Sequence, residues 1–279
     1  MSMDDKANLL AFDLAAATAH LSMADSALAK LIAEMRPFDP GIDHTQSPYE
    51  ALMEAIVYQS ISGKAAATIF ERVKALSGFG NDGVASGAKH ARTLAGTELA
   101  GKVSGNGRVP TPVEVLKLTK RQLRKAGLSG AKILAMRDLA QKTIDGIVPT
   151  HDEALKLSDN ELVERLDSVR GIGRWTVEMF LIFRLGRPDV LPIHDLGVQK
   201  GWSVAYGKKQ MPRPKELEKF GERWRPYRTV ASWYMWRAFE KAGYATTNKI
   251  KKPQIKRKIR IKIKRVKIVV RKKVAKKKA

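Results

Sequence analysis

The chain has 279 residues, 44% of them hydrophobic, a formal net charge of +24 and no cysteine. Its length allows one large domain or two small ones, and the lack of cysteine excludes disulfides, thiolate nucleophiles, cysteine-ligated zinc and iron–sulfur clusters. The amino terminus, MSMDDKANLLAF, lacks the basic segment of a signal peptide, and no apolar run approaches the ~20 residues of a membrane span, so the sequence predicts an intracellular protein with no membrane partner.

In chain order, the first strong helix signal is SPYE, Ser47 to Glu50, with a capping hydroxyl, a proline at the first helical position and a glutamate at the third. TPVE, Thr111 to Glu114, repeats it, and TKRQ (Thr119 to Gln122) and SDNE (Ser158 to Glu161) are further capping boxes. Apolar residues then return at helical spacing, as at Leu162, Val163, Leu166 and Val169. No hairpin of alternating strands and no fixed repeat appears in the body, so its predicted class is all-α. Residues 77–110 break the pattern. They hold eight glycines and no periodicity, and read as a mobile insertion between helices.

Charge is distributed unevenly. From Thr247 to Ala279 there are 17 Lys and Arg and no acid, whereas the preceding 246 residues hold the other 35 basic residues against 28 acids. Both parts favour a polyanionic partner, most simply nucleic acid. The tail alternates Ile/Val with Lys/Arg, formally a strand pattern. Its charge density opposes compaction, so residues 247–279 read as a solvated, disordered tail behind a body of residues 1–246.

VRGIGRWTVEMF, residues 169–180, sets Gly171 and Gly173 before a strongly apolar helical run. Glycine permits positive φ and close backbone approach. A tight turn here leaves unpaired N–H groups at the next helix's start, which suits a phosphate, as do Arg170 and Arg174. G-x-G by itself equally fits an ordinary helix–helix turn. Asp195, in LPIHDLG, reads on its own as a helix N-cap. The five histidines share no metal-ligand spacing, so no side-chain metal site is predicted.

Taken together, four ordered motifs resemble the DNA-3-methyladenine glycosylase II group of the helix–hairpin–helix DNA glycosylase superfamily. They are YEALMEAIVYQSISGKAAATIFERV (Tyr49 to Val73), AGLSGAKILAMRDLA (Ala126 to Ala140), the Gly171–Gly173 turn continuing to Asp195, and ERWRPYRTVASWYMWRAF (Glu222 to Phe239). The resemblance covers about residues 10–245 and implies two helical subdomains joined to the hairpin motif. The segment before Tyr49 is too short for the β-rich amino-terminal domain of some bacterial relatives, so the compact helical version is expected.

The resemblance implies site roles residue by residue. Arg170, Gly171, Ile172, Gly173 and Arg174 would grip the DNA backbone, and Gln59, Ser60 and Ser62 would belong to the loop that wedges into the duplex. Asp195 would be catalytic, stabilising positive charge on the sugar and orienting or activating water. Trp175, Trp236 and Met179 would line the base pocket, where aromatic faces attract cationic alkylated purines. Trp224 and Trp233 read as core. Trp175 stands where bifunctional relatives place a Schiff-base lysine, which implies a monofunctional enzyme. His194 stands where many members carry a second acid or asparagine, which removes one negative charge beside Asp195.

The implied function is hydrolytic excision of alkylated purines such as 3-methyladenine from double-stranded DNA in base excision repair, leaving an abasic site. The expected enzyme is a monomer located with DNA in nucleoid or nucleus. It requires no cofactor, although hairpin carbonyls in the family can hold a monovalent cation. A glycosylase for another lesion such as hypoxanthine, and a non-catalytic helix–hairpin–helix DNA-binding protein, are the alternatives.

Overall fold

The structure, a computed structural model, describes residues 10, 12–42, 46–78, 107–247 and 250–253, with backbone alone from 244 to 247. The first helices among the described residues are α1 (Leu14–Ala24) and α2 (Ser26–Glu34). The chain then divides into two helical units. One comprises the residues through Ala15 and Phe38–Val190; the other comprises Ala16–Pro37 and Leu191 onward.

The first unit contains α3 (Pro48–Tyr58), α4 (Gly63–Lys74), α5 (Pro112–Lys117), α6 (Lys120–Lys125), α7 (Gly130–Ile144), α8 (His151–Lys156), α9 (Asp159–Asp167) and α10 (Arg174–Phe183). The four boxes read from the sequence all form, at Ser47, Thr111, Thr119 and Ser158, and Thr150 with Glu153 makes a fifth. Each satisfies two backbone donors that a helix start would otherwise leave orphaned. α7 packs against α3 and α5 and buries Ile133, Met136 and Leu139 there. Such side chains contribute about 1.5–3 kcal/mol each on full burial.

The predicted insertion of residues 77–110 begins and ends at one buried carboxylate. Glu114 accepts from the Gly78 N–H (3.0 Å), from the Thr111 N–H (2.7 Å) and from both arms of the Arg108 guanidinium (2.6 and 2.7 Å). The Arg108 bond, then the backbone and Thr111 donors, outweigh burial and hold the Glu114 carboxyl down at about 2. Residues 79–106, the rest of that insertion, lie outside the described residues.

The second unit joins α2 and most of α1 to α11 (Leu196–Ala205), α12 (Pro214–Gly221), a 3-10 turn (Glu222–Trp224) and α13 (Arg228–Thr247). α11 and α13 approach until their backbones touch. A Cβ on Gly201 would lie 1.8 Å from the Met235 carbonyl oxygen, so only glycine fits. Trp224 and Trp233 are buried, as the sequence suggests. Asp25 is buried beside Trp224 and caps α2 with Oδ1, while Oδ2 accepts from the Tyr206 hydroxyl and the Trp224 indole.

The basic tail starts with paired backbone. Lys251 donates to the Lys209 carbonyl (3.1 Å) and accepts from the Met211 N–H (2.9 Å), an isolated parallel bridge. The remainder of the tail, from residue 254, lies outside the described residues. No helix among the described residues is long and apolar enough to cross a membrane.

Candidate active site and DNA-binding hairpin

The Gly171–Gly173 segment joins α9 to α10 as a tight turn. Gly171 has φ +79°, a conformation that L side chains rarely adopt. An added Cβ there would also press on Ala135 Cβ at 3.2 Å. Ile172 is buried and its N–H donates to the Val169 carbonyl, so it anchors the turn from below. Gly173 is the N-cap of α10 and brings no capping side chain. Neither does Ser62 at the start of α4, whereas α2, α3, α5 to α9 and α11 all carry side-chain caps. The two starts assigned to DNA contact from the sequence therefore present first-turn N–H groups that no capping side chain satisfies, a favourable arrangement for phosphate. The Arg174 guanidinium pairs with the nearly buried Glu178 one turn along (3.0 Å).

α7 clamps the turn from behind. Asp138 accepts from the Arg170 N–H (2.7 Å) and from the Lys142 ammonium (3.0 Å), and Lys142 also donates to the Ser168 carbonyl. Burial opposes ionisation of Asp138, but these donors together hold its carboxyl below the ordinary range. Sequence reasoning missed both residues. Their signal was local: an acid and a base at i,i+4 on α7, the acid inside a motif already singled out.

The loop between α3 and α4 carries Gln59, Ser60 and Ser62. Ser60 holds φ +58°, uncommon for a residue other than glycine. The Gln59 side-chain amide donates to the Gly171 carbonyl (2.8 Å), tying this loop to the hairpin across 112 residues of sequence. Lys132, the lysine of the AGLSGAK motif, donates to the Val57 carbonyl at the end of α3 (2.7 Å), and burial lowers its ammonium pKa. That motif therefore supports the end of α3, just before this loop.

Between α3 and α10 lies a cleft of about 470 Å³. Tyr58, Gln59 and Ser60 form one wall, and Trp175, Met179 and Phe183 the other. Glu54 and Arg184 pair in the cleft at 3.0 Å. Trp175 is 47% exposed, enough for its ring to meet a ligand. Trp175 and Met179, expected in one pocket with Trp236, thus share this cleft within the first unit, whereas Trp236 belongs to the second.

In the second unit Asp195 is the N-cap of α11, as its place in the sequence predicts. Its Oδ1 accepts from the Val198 N–H (2.8 Å) and from the Trp236 indole N–H (2.8 Å). Gly197 lies against the indole: a Cβ there would come within 2.7 Å of Trp236 Cδ1 and 3.1 Å of Asp195 Oδ1. His194 is exposed. No group of three or more His, Asp or Glu side chains among the described residues could hold a metal ion.

Residues 53–226 match the family described as HhH-GPD superfamily base excision DNA repair protein. The chain is 35% identical over 242 residues to DNA-3-methyladenine glycosylase 1 of Schizosaccharomyces pombe, covering 86% of this chain and 93% of that one. The alkylbase DNA glycosidase-like protein mag2 of the same yeast is 28% identical over 226 residues, covering 80% and 93%. Among solved structures, the S. pombe 3-methyladenine DNA glycosylase in complex with abasic DNA superposes with a TM-score of 0.62 at 34% identity, over 79% of this chain and 95% of that one. A DNA-3-methyladenine glycosidase from Bacillus halodurans gives 0.63 at 28% identity, over 82% and 92%. With its helix–hairpin–helix turn, its helix-capping aspartate and these likenesses, the chain belongs to the HhH-GPD superfamily of base excision DNA repair proteins.

Proposed function

We propose that this chain is a monofunctional DNA glycosylase that excises alkylated purines of the 3-methyladenine type by hydrolysis and leaves an abasic site. Similarity to the S. pombe glycosylase over nearly its whole length supports the substrate class. The observation that carries the chemistry is Asp195, held by two donors on one carboxylate oxygen. An alkylated purine carries positive charge, and when the C1′–N bond breaks the electron pair leaves with the base. Charge then develops on the sugar. A fixed carboxylate stabilises that charge without reorganising and accepts a proton from the water that bonds to C1′.

Extrusion of the base from the duplex is the prior requirement. The strained Gln59–Ser60 loop is suited to wedging, and the hairpin that it ties is suited to holding the backbone. Trp175 and Met179 offer the flipped base an electron-rich face and a soft thioether. Trp175 has no amine, so no Schiff base forms at this position and no strand cleavage follows.

The enzyme acts as a monomer on double-stranded DNA, wherever the genome is housed, and needs no cofactor. The Ser168 and Gly171 carbonyls of the turn already accept from Lys142 and Gln59. A monovalent cation would share those oxygens or use their neighbours.

Asp195→Asn is the direct test. Asparagine caps a helix about as well as aspartate, so the Val198 bond and the fold should persist. Release of 3-methyladenine from methylated DNA should be lost, while binding to lesion DNA stays within a few-fold of the parent protein. Borohydride should trap no covalent protein–DNA adduct. Near-normal turnover would remove Asp195 from the chemistry, and a trapped adduct on a lysine would overturn the monofunctional assignment.

A further inference from the structure

We infer that Trp236 is a positioning residue for the Asp195 carboxylate, acting through its indole N–H, rather than a face on which the damaged base stacks. The inference rests on the catalytic reading of Asp195 and assigns the group that orients it. Its starting point is the contact between α11 and α13. Gly201 lets the α11 backbone meet the Met235 carbonyl, and the next residue of α13 is Trp236. One turn earlier on α11, Gly197 opens the space that the indole fills. The pyrrole edge of the ring, Cδ1 and Nε1, is therefore turned toward the first turn of α11, and the N–H ends on Asp195 Oδ1 at 2.8 Å.

That bond has a consequence for the carboxylate. An N-cap aspartate held only by the backbone can rotate about its last torsion, because such sp³–sp² torsions are broad. Here Val198 N–H and Trp236 N–H both approach Oδ1. Two donors from different helices restrain the plane of the carboxylate and with it the direction of Oδ2. Hydrogen bonds to an ionised acceptor are roughly twice as strong as neutral ones, so the indole is a substantial restraint. Positioning needs a fixed edge, and Gly197 and Asp195 fix the pyrrole edge of this ring.

Two isosteres of Trp236 separate these roles in the full-length protein. In the first, benzothiophene replaces indole, so sulfur stands where the N–H was and the aromatic face stays. In the second, ring fluorination weakens the face and keeps the N–H. Positioning predicts that the benzothiophene protein loses about 10- to 100-fold in the single-turnover rate of 3-methyladenine release, as a catalytic group displaced by a fraction of an ångström does. Its affinity for lesion DNA should stay within about twofold, since a group acting on the carboxylate alters the chemical step more than binding. The fluorinated protein should keep its rate.

Stacking predicts the reverse order, and a benzothiophene protein at the parent rate overturns the inference. Trp236→Phe provides a second route, since it also retains a face and lacks the donor. It should be slow while matching the parent in its circular dichroism and lesion-DNA affinity. An Asp195→Asn arm keeps the two readings apart. If that variant is inactive and the benzothiophene protein is normal, only the role of Trp236 falls. If Asp195→Asn still turns over, the catalytic reading falls and takes this one with it.

Discussion

Gly197→Ala perturbs the candidate catalytic pair by one methyl group while touching neither member chemically. The new Cβ would lie 2.7 Å from Trp236 Cδ1 and 3.1 Å from Asp195 Oδ1. Non-bonded carbons sit comfortably at about 3.5–4.0 Å, so the indole must retreat by about 1 Å. A misplacement of that size at a reacting constellation can cost about 10²-fold in rate, or about 2.7 kcal/mol at 1.36 kcal/mol per tenfold. Stability should suffer less. Overpacking costs about 1–3 kcal/mol, but replacing a helical glycine by alanine returns up to about 1 kcal/mol. The net loss should be about 0–2 kcal/mol. Single-turnover base release measures the first quantity and urea denaturation the second. A rate within twofold of the parent, in a protein of normal stability, would mean that the placement of the Trp236 edge does not matter to the reaction.

Two further outcomes follow from carboxylates of the first unit. Glu114→Gln should destabilise the first unit by about 2 kcal/mol at pH 7, below the roughly 3 kcal/mol that a fall from 4.5 to about 2 allows, because Arg108 is half-exposed and screened. Since the folded value is depressed, this stabilisation is fully present above pH 4.5 and is lost as pH falls toward 2. Denaturation of parent and variant across that range should show the difference shrinking, and a pH-independent difference would contradict the account. Asp138→Ala should leave the Arg170 N–H and Lys142 without their shared acceptor, at a cost of about 1–3 kcal/mol. Fluorescence-anisotropy titration should show weaker binding to damaged and undamaged duplexes alike, and unchanged affinity for both would separate the clamp from the DNA-binding surface.

What was legible in the sequence was local. Ser47, Thr111, Thr119 and Ser158 announce helix starts because the cap and its reciprocal glutamate or glutamine lie three residues apart, and the bonds that satisfy them span the same three. Asp195 was legible as a cap for the same reason, since its bond to Val198 is equally short in sequence. Its second donor, Trp236, lies 41 residues away, and no periodicity encodes that contact. The same limit hid the bond of Gln59 to Gly171, the bond of Lys132 to Val57 and the return of the chain at Leu191 to the unit of Ala16–Pro37. Each depends on which helix packs where, a decision spread over the whole core.

The hairpin shows how this limit changes a functional reading. From the sequence, its glycines free backbone N–H groups for phosphate. In the structure the Arg170 N–H is taken by Asp138 and the Ile172 N–H by the Val169 carbonyl. Those two amides are engaged in holding the turn together rather than open to a phosphate. The amides suited to that role lie beyond Gly173, in the first turn of α10, which has no side-chain cap. Gly171 and Gly173 therefore differ in kind. The first sustains a turn that only glycine accommodates comfortably, with φ +79°. The second has φ −109°, which any residue can adopt, and a Cβ there would find its nearest neighbour, Asp167 Oδ1, at 4.0 Å. The fold does not require glycine at 173, and a bare backbone at the start of a helix is one that an anion can approach more closely than it could past a larger side chain.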